Sequence, residues 1–340
     1  MDKRYLWALL ALAIGALLLF PHVTGVMTRE LVGRIFILAV FGMSYDILRG
    51  YTGIINLGHA AFFGGGTYMA GIMFTQVGTS ASAMLAALLV AWAFAVLLAI
   101  IMGQFAFRNT GAGGVLACAM ITLAFGEIVR HTAETFRQFT QGADGLTFMV
   151  PPMFRDRVMM YYYALVFLVV MTLLLRQFVN SPTGRVLQAI RDNEQRARFL
   201  GYDVRKYKLL ALVTAALAAS SAGFMFALLT RFANTDLLSV QNTLNALLFT
   251  IVGGTGTLYG AIVGTAFVQL VQSYLLELRG ISEIFARWQI FFGAIYVLVV
   301  LYMPLGMVGA YLRFKASLER WRARQLSLSG QARSGNSRGR

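Results

Sequence analysis

Ser82-Ala-Met-Leu-Ala-Ala-Leu-Leu-Val-Ala-Trp-Ala-Phe-Ala-Val-Leu-Leu-Ala-Ile-Ile-Met-Gly-Gln104 carries no charged side chain. A helix rises 1.5 Å per residue, so ~20 apolar residues cross the ~30 Å hydrocarbon core of a bilayer. This stretch is long enough, and a helix apolar on every side has no polar face to offer water. Comparable runs lie near 5–22, 31–48, 57–76, 111–130, 158–177, 208–230, 241–252, 259–276 and 288–306. The run at 241–252 is short for a crossing and predicts a broken helix. The fold class is therefore all-α: a polytopic transmembrane helical bundle of about ten spans, broken helices included.

Composition agrees. The chain is 58% apolar and 13% charged, where a soluble domain carries roughly 25% charged residues. Lys and Arg outnumber Asp and Glu by 29 to 14. In a membrane chain such an excess reads as cytoplasmic loops, and nucleic acid is not expected as a partner. Cys118 is the single cysteine, so no intrachain disulfide forms, and His22, His59 and His131 are too scattered to predict a metal site. Met1-Asp-Lys-Arg4 before an apolar run resembles a signal peptide, but no small-residue cleavage site follows, which predicts an uncleaved first span. Ten spans leave both termini on one side. Placing them in the cytoplasm puts 20 of the 29 basic residues inside and 9 outside, the orientation that positive-inside bias favours.

Residues 1–312 thus form a membrane domain interrupted by a cytoplasmic loop at 181–208, and 313–340 form a basic tail rich in Ser, Gly and Gln. The tail's composition predicts disorder and attraction to anionic lipid. In the loop, Ser181-Pro182 is a helix-start signal and Gly201 a stop. Between them Val186, Leu187, Ile190, Ala197 and Leu200 fall near helical spacing, while Arg191, Asp192, Glu194, Arg196 and Arg198 take the other positions. One short amphipathic helix is the expectation. It would either dock into a groove on a cytoplasmic partner or lie on lipid. The acidic residues tilt the reading toward a protein.

Arg191-Asp-Asn-Glu-Gln-Arg-Ala-Arg-Phe-Leu-Gly201, followed by Tyr207-Lys-Leu-Leu-Ala211, resembles the coupling loop of the branched-chain amino-acid permease family of ABC importers, of the "M" subunit type. Gly50-Tyr-Thr-Gly-Ile-Ile-Asn-Leu-Gly-His-Ala-Ala-Phe-Phe-Gly64, Thr122-Leu-Ala-Phe-Gly-Glu127, Gly142-Ala-Asp-Gly-Leu146, Val252-Gly-Gly-Thr-Gly256 and Pro304-Leu-Gly306 support the resemblance, in the family's order over residues 30–310. No Glu-Ala-Ala triplet occurs in the loop. The resemblance implies a bacterial inner-membrane permease subunit that works with a second, similar permease subunit. It also implies two cytoplasmic ATP-binding subunits and a periplasmic substrate-binding protein. Arg191, Asp192, Asn193, Glu194, Arg196 and Gly201 would couple to the ATP-binding subunits. ATP would be used by those partners with no cofactor bound here, and the chain indeed carries no Gly-x-x-x-x-Gly-Lys-Ser/Thr phosphate loop.

Two glycine clusters, Gly50–Gly66 and Gly253–Gly264, interrupt the apolar pattern, one in each half. Broken segments at corresponding places in a transporter point to the translocation path; single glycines also serve close helix packing. The clusters nominate Asn56, His59, Gly64, Gly253, Gly254 and Gly256 as path residues, with Asn56 as N-cap of a half-helix and His59 more readily structural. Charges inside spans usually pair, so Asp46 is expected with Arg49, and Glu127 with Arg130 or His131 at i+3 and i+4. Asp144 reads as an outer-loop turn.

A membrane enzyme fits poorly, for want of paired carboxylates, a metal-ligand cluster or an activated nucleophile. A stand-alone secondary transporter or channel has no use for the loop at 181–208. A urea or short-amide importer permease resembles the same family and remains the alternative substrate reading.

Overall fold

The computed structural model describes residues 19–108, 114–278, 288–302 and 306–309. Residues 19–23 are helical. The long helices are α1 (Val26–Asp46), α2 (Ala60–Gln76), α3 (Ala81–Ala106) and α4 (Gly114–Thr135). A turn α5 (Arg137–Thr140) leads to α6 (Arg157–Asn180), then come α7 (Pro182–Asp192), α8 (Glu194–Phe199) and α9 (Val204–Thr230). The last are α10 (Val240–Gly253), α11 (Leu258–Leu278) and α12 (Trp288–Tyr302). Two dipeptide strands, β1 (Leu146–Thr147) and β2 (Phe232–Ala233), pair antiparallel with Leu146 opposite Ala233.

The stretch 82–104 shows how the bundle is built. Ala83, Ala87, Ala91, Ala95 and Ala99 recur every fourth residue of α3 and are buried, while Leu85, Leu89, Leu97 and Ile101 are exposed. Lipid is as apolar as leucine, so burial gives membrane helices no reason to hide their large side chains; small residues line the contact because they let backbones approach. The partner helix α9 likewise buries small residues, among them Ala215, Ala219 and Ala222, while its Gly223 packs on Phe63 and Thr67 of α2. Polar side chains tie the contact: Ser220 Oγ donates to the Ala91 carbonyl at 3.0 Å and Trp92 Nε1 to Ser221 Oγ at 2.8 Å. α1 is sealed among α6, α9, α10 and α11, with Ile37, Phe41, Met43 and Tyr45 fully buried.

Among the described residues, six helices are long and apolar enough to cross a membrane. The expected first span falls mostly in 1–18, outside the described residues, as does the tail. Two expected spans are shorter than a crossing. α2 begins at Ala60 because residues 52–59 are unwound, and α10 has 14 residues. At 1.5 Å per residue α10 reaches only ~21 Å. It starts deep, since Leu238 just before it packs on Gly64, inside α2. The broken helix expected at 241–252 is thus a half-helix entered from an irregular segment.

The bundle has two distinct ends. At one, Gly50, Gly256, Arg191 and Gly306 meet; at the other lie the Glu30–Arg157 ion pair, the Tyr162–His22 contact (3.2 Å) and the β1–β2 pair.

Candidate functional site

The loop between α6 and α9 folds as two helices where one was expected. Ser181 Oγ accepts from Gly184 N at 3.2 Å, with Pro182 in the first turn, so the start is as read from sequence. Asn193 then leaves helical geometry (φ −159°, ψ 103°), ends α7, and caps α8 by accepting from Arg196 N at 2.8 Å. An Asn side chain competes for backbone donors in this way, which is why the continuous periodicity misled. The stop is as expected: Gly201 (φ 87°) donates to the Arg198 carbonyl and Tyr202 to the Ala197 carbonyl, the paired bonds that close a helix with a left-handed glycine. Leu187, Ile190 and Ala197 are buried, but Leu200 is 70% exposed and Phe199 90%, so Leu200 does not belong to the inward face. Asp203 caps α9 from Lys206 N, and the Lys206 side chain holds its carboxyl below the usual range.

Charged residues fix the loop to the bundle. Glu194 takes Arg198 at 2.7 Å and Lys208, in α9, also at 2.7 Å. Arg191 is bonded to its neighbour Asp192 (3.3 Å) and reaches inward, where its Nη1 donates to the Gly50 carbonyl. Asn193 and the Arg196 side chain are exposed.

Gly50 lies in a π-helical turn, Ile47–Tyr51, that ends α1. Gly256 (φ 79°) lies in the turn joining α10 to α11. A Cβ on Gly50 would run into the backbone of Gly256 and the Asp46 carboxylate, and one on Gly256 would sit 3.3 Å from Arg191 Nη1. Asp46, fully buried, accepts from Gly256 N at 2.8 Å. The expected Asp46–Arg49 pair is therefore not formed: Arg49 is exposed, and the carboxylate turns to a backbone donor in the second glycine cluster. One junction thus joins the loop (Arg191), the end of α1 (Asp46, Gly50) and the α10–α11 turn (Gly256), with Gly306 packed on Gly254 beside it.

The other nominated residues lie apart from that contact. Asn56 is buried and its Oδ1 accepts from Gly58 N at 2.9 Å, making a local turn rather than capping α2. The free donors there are met from other helices: Leu57 N by Thr122 Oγ1 (3.0 Å) and Ala60 N by Thr243 Oγ1 (2.9 Å). His59 shares a 2.8 Å hydrogen bond with Ser44 and packs among Phe41, Tyr45 and Phe62. Gly253 packs on Gly260 and Gly64 on Leu238. Glu127 pairs with Arg130 at 3.0 Å and approaches His131 at 3.9 Å, and Asp144 ends a short 3-10 turn. Thr122, Thr243 and Ser44 escaped the sequence reading, because a lone hydroxyl in an apolar run does not reveal which helix it faces. Among the described residues no group of three or more His, Cys, Asp or Glu could hold a metal.

The profile of a family described as "Branched-chain amino acid transport system / permease component" matches residues 27–301. The chain is 23% identical over 335 residues to the Escherichia coli high-affinity branched-chain amino acid transport system permease protein LivM, covering 90% of this chain and 75% of that one. The Salmonella typhimurium protein of the same name is similar at 23% over 337 residues, with the same shares covered. A probable branched-chain amino acid transport permease protein LivM from Methanocaldococcus jannaschii is 25% identical over 146 residues, 40% of this chain and 42% of that one. Among solved structures, PsaBC from Streptococcus pneumoniae in complex with Fab aligns with a TM-score of 0.41 at 15% identity, covering 90% of this chain and 99% of that chain.

Proposed function

The chain belongs to the family of permease components of branched-chain amino acid transport systems, and from that membership we propose that it is the membrane-spanning permease subunit of a binding-protein-dependent ABC importer for branched-chain amino acids. The observation that carries the reading is the Arg191 contact, in which a loop outside the bundle grips a turn inside it. In this account the loop docks on one of two cytoplasmic ATP-binding subunits, with exposed Phe199 and Leu200 as apolar contacts for that partner. A second permease subunit completes the pore, and a periplasmic binding protein delivers solute to the end that carries β1 and β2. ATP binding and hydrolysis by the partners shift the loop. Arg191 and the Glu194–Lys208 pair carry the shift to α1, α9 and the α10–α11 turn. Both termini are on the ATP side, in the inner membrane.

The test is uptake of radiolabelled L-leucine into proteoliposomes holding the complete assembly. Uptake that requires ATP and binding protein is the expected result; uptake on an ion gradient without ATP overturns the proposal.

A further inference from the structure

A second feature lies in the other half of the bundle, away from the junction. A cavity of ≈ 210 Å³ opens between α1, α2, α9, α10 and α11. Its walls hold Arg34, Asn242, Asn245, Gln269 and Gln272, against apolar Leu31, Leu38 and Phe226. Arg34 is eight residues into α1, ~12 Å beyond Val26 at 1.5 Å per residue. It stands 6.0 Å over the Phe226 ring, and among the described residues no carboxylate pairs with it. Asn242 Nδ2 donates to the Leu237 carbonyl at 3.1 Å. The side chains of Asn245, Gln269 and Gln272 have no hydrogen-bond partner among the described residues.

Such groups are costly against lipid. An arginine or amide at membrane depth faces a protein interior or a wet cavity, and marks solute paths. The i, i+3 spacing of Asn242 with Asn245, and of Gln269 with Gln272, brings each pair to one helix face. The volume is below the ~300–1,000 Å³ of drug-sized sites, which restricts it to a small solute. A guanidinium without a carboxylate matches a carboxylate in fork geometry; the amides match an ammonium or a second carboxylate oxygen, and the leucines and Phe226 an aliphatic side chain.

We propose that this cavity is the chain's share of a solute site, in which Arg34 takes the carboxylate of a zwitterionic amino acid while the amides orient it. The inference rests on the importer reading and deepens it, since a neutral urea or amide has no group for Arg34.

The experiment uses the complete assembly with Asn245→Cys in a Cys118→Ser background, which leaves one thiol in this chain, its labelling read on the separated subunit. The thiol should react with a water-soluble maleimide from the binding-protein side. Saturating L-leucine should slow that reaction at least threefold, while L-leucinamide, lacking the carboxylate, should not. Adding Arg34→Gln should abolish the protection without abolishing the reaction, and Arg34→Lys should restore part of it. A thiol that never reacts is covered by lipid or by the partner permease, and overturns the site. Equal protection by leucine and leucinamide, or protection that survives Arg34→Gln, overturns the role of Arg34. The importer reading fails separately, through leucine uptake by the unmutated assembly that needs no ATP.

Discussion

Asp46 and Arg191 each find a partner in the backbone of a distant glycine turn. A hydrogen bond to a charged group contributes ~1.5–3 kcal/mol, and a buried carboxylate stripped of its donor costs more than the bond was worth. Gly50 is where this contact tolerates least change. Replacing it with Ala forces a Cβ into Gly256 and Asp46, and overpacking of that kind costs ~1–3 kcal/mol. Gly50→Ala should therefore lower the melting temperature of the detergent-purified assembly and reduce leucine uptake. Gly25→Ala, with nothing within 4 Å of the new methyl, should do neither. The sequence showed Asp46 as a costly charge needing a partner, but named Arg49. Its real partner, a backbone N–H 210 residues away, leaves no trace in side-chain identity. Glu127 and Arg130 were legible because their pairing is within one helix.

At the level of elements, helices were read from apolar length alone, and α1, α3, α6 and α9 emerge close to the expected bounds. What length cannot register is a crossing that unwinds. Residues 57–59 read as the start of a span, yet they stay unwound: Leu57 N donates to Thr122, and Ala60 N, the first of α2, to Thr243, each on another helix. The loop shows the same limit, since its periodicity runs through Asn193 where the structure has a break. That break aims Arg191 into the bundle while α8 turns away to lie on Lys208. Asn193→Ala should join α7 and α8 by removing the cap, worth ~0.5–2 kcal/mol. Uptake should fall several-fold while the variant still inserts and co-purifies with the ATP-binding subunits. Unchanged uptake would show that the break does not matter to coupling.

Across the whole molecule, the family and the membrane fold were readable from ordered motifs and apolar runs, while the meeting of the two glycine clusters was not. The clusters were nominated as path-lining; the structure sets Gly50 and Gly256 against each other at the end that also holds the loop. The polar cavity around Arg34 is in the opposite half, with Asp46 twelve residues further along the same helix, or ~18 Å. We place the solute at the cavity and the mechanical junction at the other end, with α1, α10 and α11 spanning the distance between them. The basic tail at 313–340 lies outside the described residues. Deleting residues 316–340 should leave leucine uptake within twofold of the full chain at matched expression, and complete loss would assign the tail a role in transport.

The most direct test of the account is the ratio of leucine molecules taken up to ATP molecules hydrolysed, measured in proteoliposomes for the unmutated assembly, Arg191→Ala and Glu194→Gln. If the loop transmits movement through these side chains, hydrolysis should persist in both variants while uptake per ATP falls at least tenfold for Arg191→Ala and less for Glu194→Gln, which keeps part of its hydrogen bonding. A ratio unchanged from the unmutated assembly in Arg191→Ala would contradict it.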